Sequence, residues 1–402
     1  MNILYITQGF PADSMVGGQI SSYYRIVQLV RAGHDVTVLC LVPKGDALTD
    51  SKALETLCRV VPVRDVPRTT GLRLALGLFD RLPWPIRRYS SRAAARAAAE
   101  LVGSLSPDLV VFNSLHSAPL LPTVRAATQA PCLLFSPNVQ STIMRLFAAH
   151  QTGPLTRLYA WDQARKMRGY ESAQADRFDA VCVYSREDAE GLRALAPDAT
   201  IEITPMALDL DAMGRPATPD FDLLLTGSFE WRPNVDSLTW FLHEIHPRIL
   251  KRRPGTTVRV VGPGSAAFRD RLSSPGVMFE GRVDDIAPFF RTARLLVVPL
   301  RIGSGIRVKI VQAFGARLPV VSTSKGCEGL RVDAGKHLMV ADEPEEFAAV
   351  VTELLDDTEL RSTLAREGRA RAEHAHDALV ADRPFVAVCE KLVESDGGET
   401  SP

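Results

Sequence analysis

Residues 297–330 read VVPLRIGSGIRVKIVQAFGARLPVVSTSKGCEGL. Two short apolar runs, Val297–Leu300 and Pro319–Ser322, stand on either side of a Gly-Ser-Gly turn and a helical pattern. Continuous apolar runs, as opposed to alternating ones, belong to strands covered on both faces, as in parallel sheets. The helix is expected to begin near Ile306–Val308, so that its unpaired amides and positive dipole end point out of the glycine turn. On it Lys309 and Gln312 are three apart and share a face, while Ile310 and Phe314 share another that packs on the sheet. Arg307, two before Lys309, belongs to the loop. One polar edge thus offers Gly303, Ser304 and Gly305 as a turn, Arg307 and Lys309 as cations, and Gln312 as an amide one helical turn on. That set suits a diphosphate and a sugar hydroxyl. Two solvated basic residues on a surface helix would explain the arginine and lysine, but not a glycine turn between apolar strands.

The same strand-then-helix rhythm runs along the whole chain. In the first half NILYIT (2–7), DVTVLCLV (35–42), DLVVFNS (108–114), PCLLFSP (131–137) and DAVCVYS (179–185) read as strands separated by helical segments. After APDATIEITPMALDLDAMGRPATPDF, a Pro-, Asp- and Ala-rich stretch suited to a linker, the pattern restarts. DLLLTGS (222–228), TTVRVVG (256–262), GVMFEG (276–281), RLLVVPL (294–300), PVVSTS (319–324) and HLMVAD (337–342) follow. A helix over 234–250 is predicted from Val235, Leu238, Leu242, Ile245 and Ile249, with Asn234 as its cap and Pro254-Gly255 as its stop. The fold class is α/β, with two Rossmann-like, doubly wound parallel-sheet domains over 1–208 and 209–379.

Length and charge agree with that reading. A chain of 402 residues exceeds a single ordinary core. The 47 basic side chains cancel the 47 acidic ones, which excludes a bulk nucleic-acid binder. Six scattered cysteines without a CxxC pair suit reduced thiols better than a metal site or a disulfide frame. MNILYIT lacks the basic and long apolar regions of a secretory signal, so a cytoplasmic protein is expected. Charge is uneven only locally: nine arginines lie between Arg59 and Arg96 against Asp65 and Asp80.

In open parallel sheets ligands bind at the carboxyl ends of strands, so the loops there carry the candidate sites. Gly17 and Gly18 follow the first strand and open a helix. They either let backbone amides approach an anion or form an ordinary turn, and their spacing is not that of the dinucleotide fingerprint. His116, past the end of DLVVFNS, either donates to a substrate or caps the next helix. Asn138 holds a similar strand-end place. Arg282 and Val283 follow FEG, where their backbone can meet a nucleobase edge. His374 and His376, two apart, point to different faces of a helix and make no metal pair.

Taken in order, GGQISSYYRIVQLVRAGHDVTVL, LLLTGSFEWRPNVDSLTWFLHEIHPRI, FEGRVDDIAPFFRTARLLVVPLRIGSGIRVKIVQAFGARLPVVSTSKGCEGL and DEPEEFAAVVTELLDD resemble the GT-B retaining glycosyltransferases of family four. The resemblance implies a nucleotide-diphosphate-sugar donor in the C-terminal domain and an acceptor in the N-terminal one, across a cleft that closes in turnover. It implies no metal or other cofactor, and a final helix, about 380–395, that crosses back to the first domain. Carried over by position, Gly17 and Gly18 match the family's glycine loop near the diphosphate, His116 its histidine near the transferred sugar, and Arg282 and Val283 its base-contacting loop. The family's two glutamates, eight positions apart, fall here on Ser304 and Gln312, and its basic residues after the first C-domain strand on Ser228 and Pro233, with Arg232 adjacent. Arg307 and Lys309 are therefore expected to carry more of the diphosphate charge.

The expected activity is retaining sugar transfer to a glycan, lipid-linked or small-molecule acceptor. Two rivals are a donor-binding subunit without catalysis, suggested by the missing glutamates, and a nucleotide-sugar epimerase. FDRLPWPIRRYSSRAAAR, with Phe79 and Trp84 among arginines, either settles on an anionic membrane at its inner face or is a solvated helix.

Overall fold

A computed structural model of the chain describes residues 1–12, 17–44, 52–67, 77–149, 153–303 and 305–397. Seven strands, β1 (Asn2–Gln8), β2 (Asp35–Pro43), β3 (Arg59–Val66), β4 (Leu109–Asn113), β5 (Cys132–Phe135), β6 (Ala180–Val183) and β7 (Ile201–Ile203), form one sheet in the order β3-β2-β1-β4-β5-β6-β7. Six more, β8 (Phe221–Thr226), β9 (Val258–Val261), β10 (Val277–Gly281), β11 (Ala293–Val298), β12 (Val320–Ser322) and β13 (Met339–Val340), form a second in the order β10-β9-β8-β11-β12-β13. Neighbouring strands pair in parallel throughout. The order reverses between β1 and β4 and again between β8 and β11. At such switch points the connections leave in opposite directions and open a crevice at the carboxyl ends of the strands.

The apolar runs become strands because helices cover both faces. Every residue of β4, β5 and β6 is buried. The helix Arg92–Leu105 shows how one layer is attached: Ser91 accepts a hydrogen bond from the Ala94 amide, and Ala94, Ala98, Leu101 and Val102 point to the sheet. A cap of this kind contributes about 1 kcal/mol. Burying each large aliphatic side chain contributes about 1.5–3 kcal/mol, so the sheet–helix interface dominates the element's stability. One compact unit consists mainly of Gly18–Met206 with the chain start and the last helix; Ala207–Ala381 makes most of the other. In the last helix Phe385 and Cys389 are fully buried. The Arg25 guanidinium lies 3.5 Å from the ring centroid of Phe135 and 4.4 Å from that of Phe385.

Two expectations need correction, and one strand was not foreseen. The stretch taken as a linker contains β7 and a short helical turn, Asp211–Met213. The start of the arginine-rich run is the edge strand β3, in which Arg59, Pro62 and Arg64 are exposed and only Val66 is fully buried. The helix foreseen over 234–250 runs from Arg232 to Arg252 but with one wide (π) turn, Phe241–Ile245. Pro247 has no amide to give the preceding turn, and the wide turn makes room for its ring. Asn234 does not cap this helix; it lies in the first turn, buried, and bonds elsewhere.

Candidate functional site

The switch point of the second sheet is unusually close-packed. Thr226 ends β8, and Gly227 follows with φ 146°. A Cβ at Gly227 would lie 2.7 Å from Asn234 Nδ2 and 2.9 Å from Lys309 Nζ. Gly262, after β9, has φ 135°, and a Cβ there would lie 2.1 Å from the Gly227 carbonyl oxygen. Only glycine allows both the dihedral and the approach. Into the space so made comes Lys309, from the first turn of the helix Val308–Gly315. Its amine donates to the Thr226 carbonyl and, at 3.2 Å, to Asn234 Oδ1, while Asn234 Nδ2 donates to the Ser228 carbonyl at 2.8 Å. Both acceptors of the amine are neutral. Burial, and then the positive charge of Arg307, bring its pKa down to about 7.

Arg307 stands just before that helix, in extended backbone, as expected of a loop residue. It is only 5% exposed, which disposes of the solvated-surface reading. Its Nη1 donates to the Gly305 carbonyl at 2.5 Å and its Nη2 to the Lys325 carbonyl at 3.4 Å. Gly303 makes room for it, since a Cβ there would lie 2.8 Å from Arg307 Nη2. The Thr323 hydroxyl donates to the Leu300 carbonyl and accepts from the Gly326 amide at 2.9 Å, tying the loop after β12 to the loop after β11. Gln312, 8% exposed, lies one turn after Lys309. A buried arginine and a partly buried lysine, held by carbonyl and amide dipoles at a helix start, make a place for an anion, because dipoles position charge without cancelling it.

At the switch point of the first sheet the Asn113 amide donates to Thr7 Oγ1 at 3.1 Å and to Ser22 Oγ at 2.6 Å, joining β4 to β1 and to the helix Gly17–Arg31. Ser114 takes a left-handed φ of 102°, and its hydroxyl lies 3.3 Å from His116 Nδ1. Ser117, not His116, precedes the helical turn Ala118–Leu120, so the capping alternative fails. Desolvation, and then the charge of Arg88, bring the His116 pKa down to about 4. The imidazole is therefore neutral near pH 7, with one nitrogen to donate and one to accept.

Among the predicted residues, the structure brings Gly303, Gly305, Arg307, Lys309 and Gln312 together at the end of β11, while Ser304 lies outside the described residues. Arg282, exposed, and Val283 follow β10, three strands from β11 along the same carboxyl edge. Gly17 and Gly18 open the first helix, and Asn138, whose carbonyl accepts from Ser136 Oγ at 3.0 Å, follows β5. Arg232 is exposed at the start of its helix. Sequence reasoning missed Gly227, Gly262 and Asn234. The glycine that ends each apolar run was a visible sign, but Asn234 carried none.

Two doubly wound parallel sheets, each with its polar loops at the switch point, define a GT-B protein. The chain belongs to the group 1 glycosyl transferases: residues 220–357 match the model described as "Glycosyl transferases group 1" and residues 20–207 the "Glycosyl transferase 4-like domain". It is 21% identical to an uncharacterized 44.6 kDa protein in the cps region of Klebsiella pneumoniae, over 86% of this chain and 89% of that one. Among solved structures it is similar to sucrose-phosphate synthase from Thermosynechococcus elongatus, with TM-score 0.76 and 16% identity, over 98% of this chain and 100% of that one. It is also similar to Anabaena HepE in complex with UDP-glucose, with TM-score 0.69 and 15% identity, over 97% and 100%.

Proposed function

We propose that the chain transfers a sugar from a nucleoside-diphosphate sugar to a glycan or lipid-linked acceptor, with retention of configuration and without a metal ion. The observation that carries this reading is the Lys309 amine, held by a carbonyl and an amide beside the buried Arg307. As the bond between C1 and the diphosphate breaks, negative charge builds on the leaving oxygen. Preformed cations stabilise it without reorganising, each worth about 3–4 kcal/mol. The acceptor hydroxyl forms its bond to C1 on the face the diphosphate leaves, and its proton passes to the departing phosphate oxygen. Neutral His116 hydrogen-bonds the transferred sugar, Gln312 the ribose, and the backbone of Arg282 and Val283 the base. Gly17 and Gly18 give amides to the diphosphate, and Asn138 serves the acceptor. UDP-glucose in HepE favours a uridine donor.

A bound diphosphate raises the pKa of Lys309 from its value of about 7, so binding takes up a proton. Affinity is then greatest below pH 7 and falls by up to about tenfold per pH unit above it. Thermal shifts with uridine, guanosine and adenosine diphosphate sugars at pH 6.5 and 8.5 measure this. The shift shrinks at the higher pH, and Lys309→Met removes the dependence. No shift with any of the three donors would sink the reading. The anomeric configuration of the product, read by NMR, checks retention. Because an amide, Gln312, stands where the resemblance places a glutamate, the rival is a chain that binds donor without transferring it. Donor binding with no product on any acceptor would favour that rival.

The acceptor reading includes contact with an anionic membrane. On the helix Pro154–Ala175 Leu155 is 81% exposed, and Leu158 and Trp161 are exposed on the same side. The exposed charges beside them, Arg157, Arg165 and Arg168, are all positive, while Asp162 pairs with Lys166 and Glu171 is buried. Lys166 also ties the loop carrying Phe79, 89% exposed, to this helix through the Gly77 and Leu78 carbonyls. Trp84 is half-buried, so the apolar contribution comes more from this helix than from the arginine-rich run. Among the described residues no helix is long and apolar enough to cross a membrane. The chain floats with vesicles containing anionic lipid, not with neutral ones, and a Leu155→Ser, Leu158→Ser, Trp161→Ser variant does not. No flotation with anionic vesicles would end the membrane contact, and flotation unchanged by the substitutions would remove this helix from it.

A further inference from the structure

At the other edge of the second sheet, where β11 and β12 begin, an open cavity of about 570 Å³ lies over Phe290, Leu318 and Pro319. Six arginines line it, at 291, 294, 317, 361, 366 and 369, against a single lining carboxylate, Glu373. Three of the six have acidic partners. Arg369 pairs with Asp211 at 2.7 Å and Glu373 at 2.6 Å, Arg294 with Asp222 at 3.3 Å, and Arg366 with Glu367 at 3.3 Å. Among the described residues the other three form no ion pair. Arg361 gives its donors to the Leu354 and Leu355 carbonyls and to the Thr358 hydroxyl, with the Asp356 and Asp357 carboxylates nearby but not paired with it. Arg317 is near enough to Asp211 to help lower its pKa but forms no ion pair with it. Arg291 lies along Gly214, where a Cβ would come within 3.0 Å of its Cδ, and its Nε is buried with no hydrogen-bond partner.

Gathering guanidinium groups around one cavity costs energy unless an anion offsets the repulsion. The guanidinium fork matches phosphate oxygens, and the apolar floor would cover a ring or a carbon chain. The volume is that of a small-molecule site. We propose that this cavity binds a small phosphate-bearing organic molecule, with Arg291 and Arg317 gripping its phosphate oxygens and Arg361 adding charge. None of the residues assigned to the transfer reaction takes part, so the site stands or falls apart from that reading.

Tripolyphosphate is the probe, titrated calorimetrically into the full chain carrying Arg307→Gln and Lys309→Gln, which disables the donor pocket. One equivalent is expected to bind, and adding Arg291→Gln and Arg317→Gln weakens it about tenfold for each guanidinium removed. Binding that is absent from the donor-disabled chain, or indifferent to the two added substitutions, overturns the proposal. Labelling of the unaltered chain with phenylglyoxal needs no variant to fold. Tripolyphosphate is expected to protect Arg291 and Arg317 but not Arg186, an exposed residue of the other unit. Equal labelling of Arg291 and Arg317 with and without the probe refutes the site.

Discussion

Lys309→Met lowers turnover by about a hundredfold or more and leaves the denaturation midpoint unchanged or higher. The two halves of this result have one cause. Burial beside Arg307 brings the amine's pKa down to about 7, so the empty protein bears the cost of holding a cation there. Methionine fills similar volume without a charge, which relieves that cost at the loss of two hydrogen bonds, to Thr226 and Asn234. A lysine kept for structure would give the opposite pattern, a lower midpoint with turnover intact. Steady-state rates at saturating donor, together with urea denaturation, separate the two. A Met variant with full turnover would remove Lys309 from the chemistry.

Gly262→Ala destabilises the C-terminal unit by about 3–4 kcal/mol and takes donor binding with it. The added Cβ would lie 2.1 Å from the Gly227 carbonyl oxygen, and the atom in its way is backbone, not a side chain able to swing aside. Gly227 cannot yield, because its own φ of 146° and its contacts with Asn234 and Lys309 hold it. The strand ends must part. The bonds from the Gly227 amide to the Val261 carbonyl, 3.2 Å, and from the Gly262 amide to the Gly281 carbonyl, 2.8 Å, are the first to lengthen. A lower denaturation midpoint with no nucleoside-diphosphate thermal shift is the expected result, and a midpoint equal to the parent's would show that the loops relax around the methyl group.

How far the sequence was legible depended on where each residue's partners lie. The buried strands were readable because both of their faces are covered, so nearly every side chain had to be apolar. β3 was not, since an edge strand leaves charged side chains in water and its pattern blurs into the arginines that follow. β7 was missed for its three residues, too few to show a period inside a Pro- and Asp-rich stretch. In the candidate site Arg307 was correctly placed in a loop, because it and its helix are neighbours in the chain. Asn234 was misread as a cap because its partner Lys309 is 75 residues away.

The sequence by itself determined the alternation of apolar strands with amphipathic helices, the break between two repeats of that pattern, and the glycine, basic and amide residues at one helix start. Those are local properties, set by spacing along the chain and by the dihedral freedom of single residues. Only the tertiary structure decided that Gly227 and Gly262 meet backbone to backbone, that Lys309 reaches under the end of β8, and that its charge is held by neutral atoms beside Arg307. Each depends on segments far apart in the chain being brought within a few ångströms, where desolvation and nearby charge change what an ordinary lysine can do.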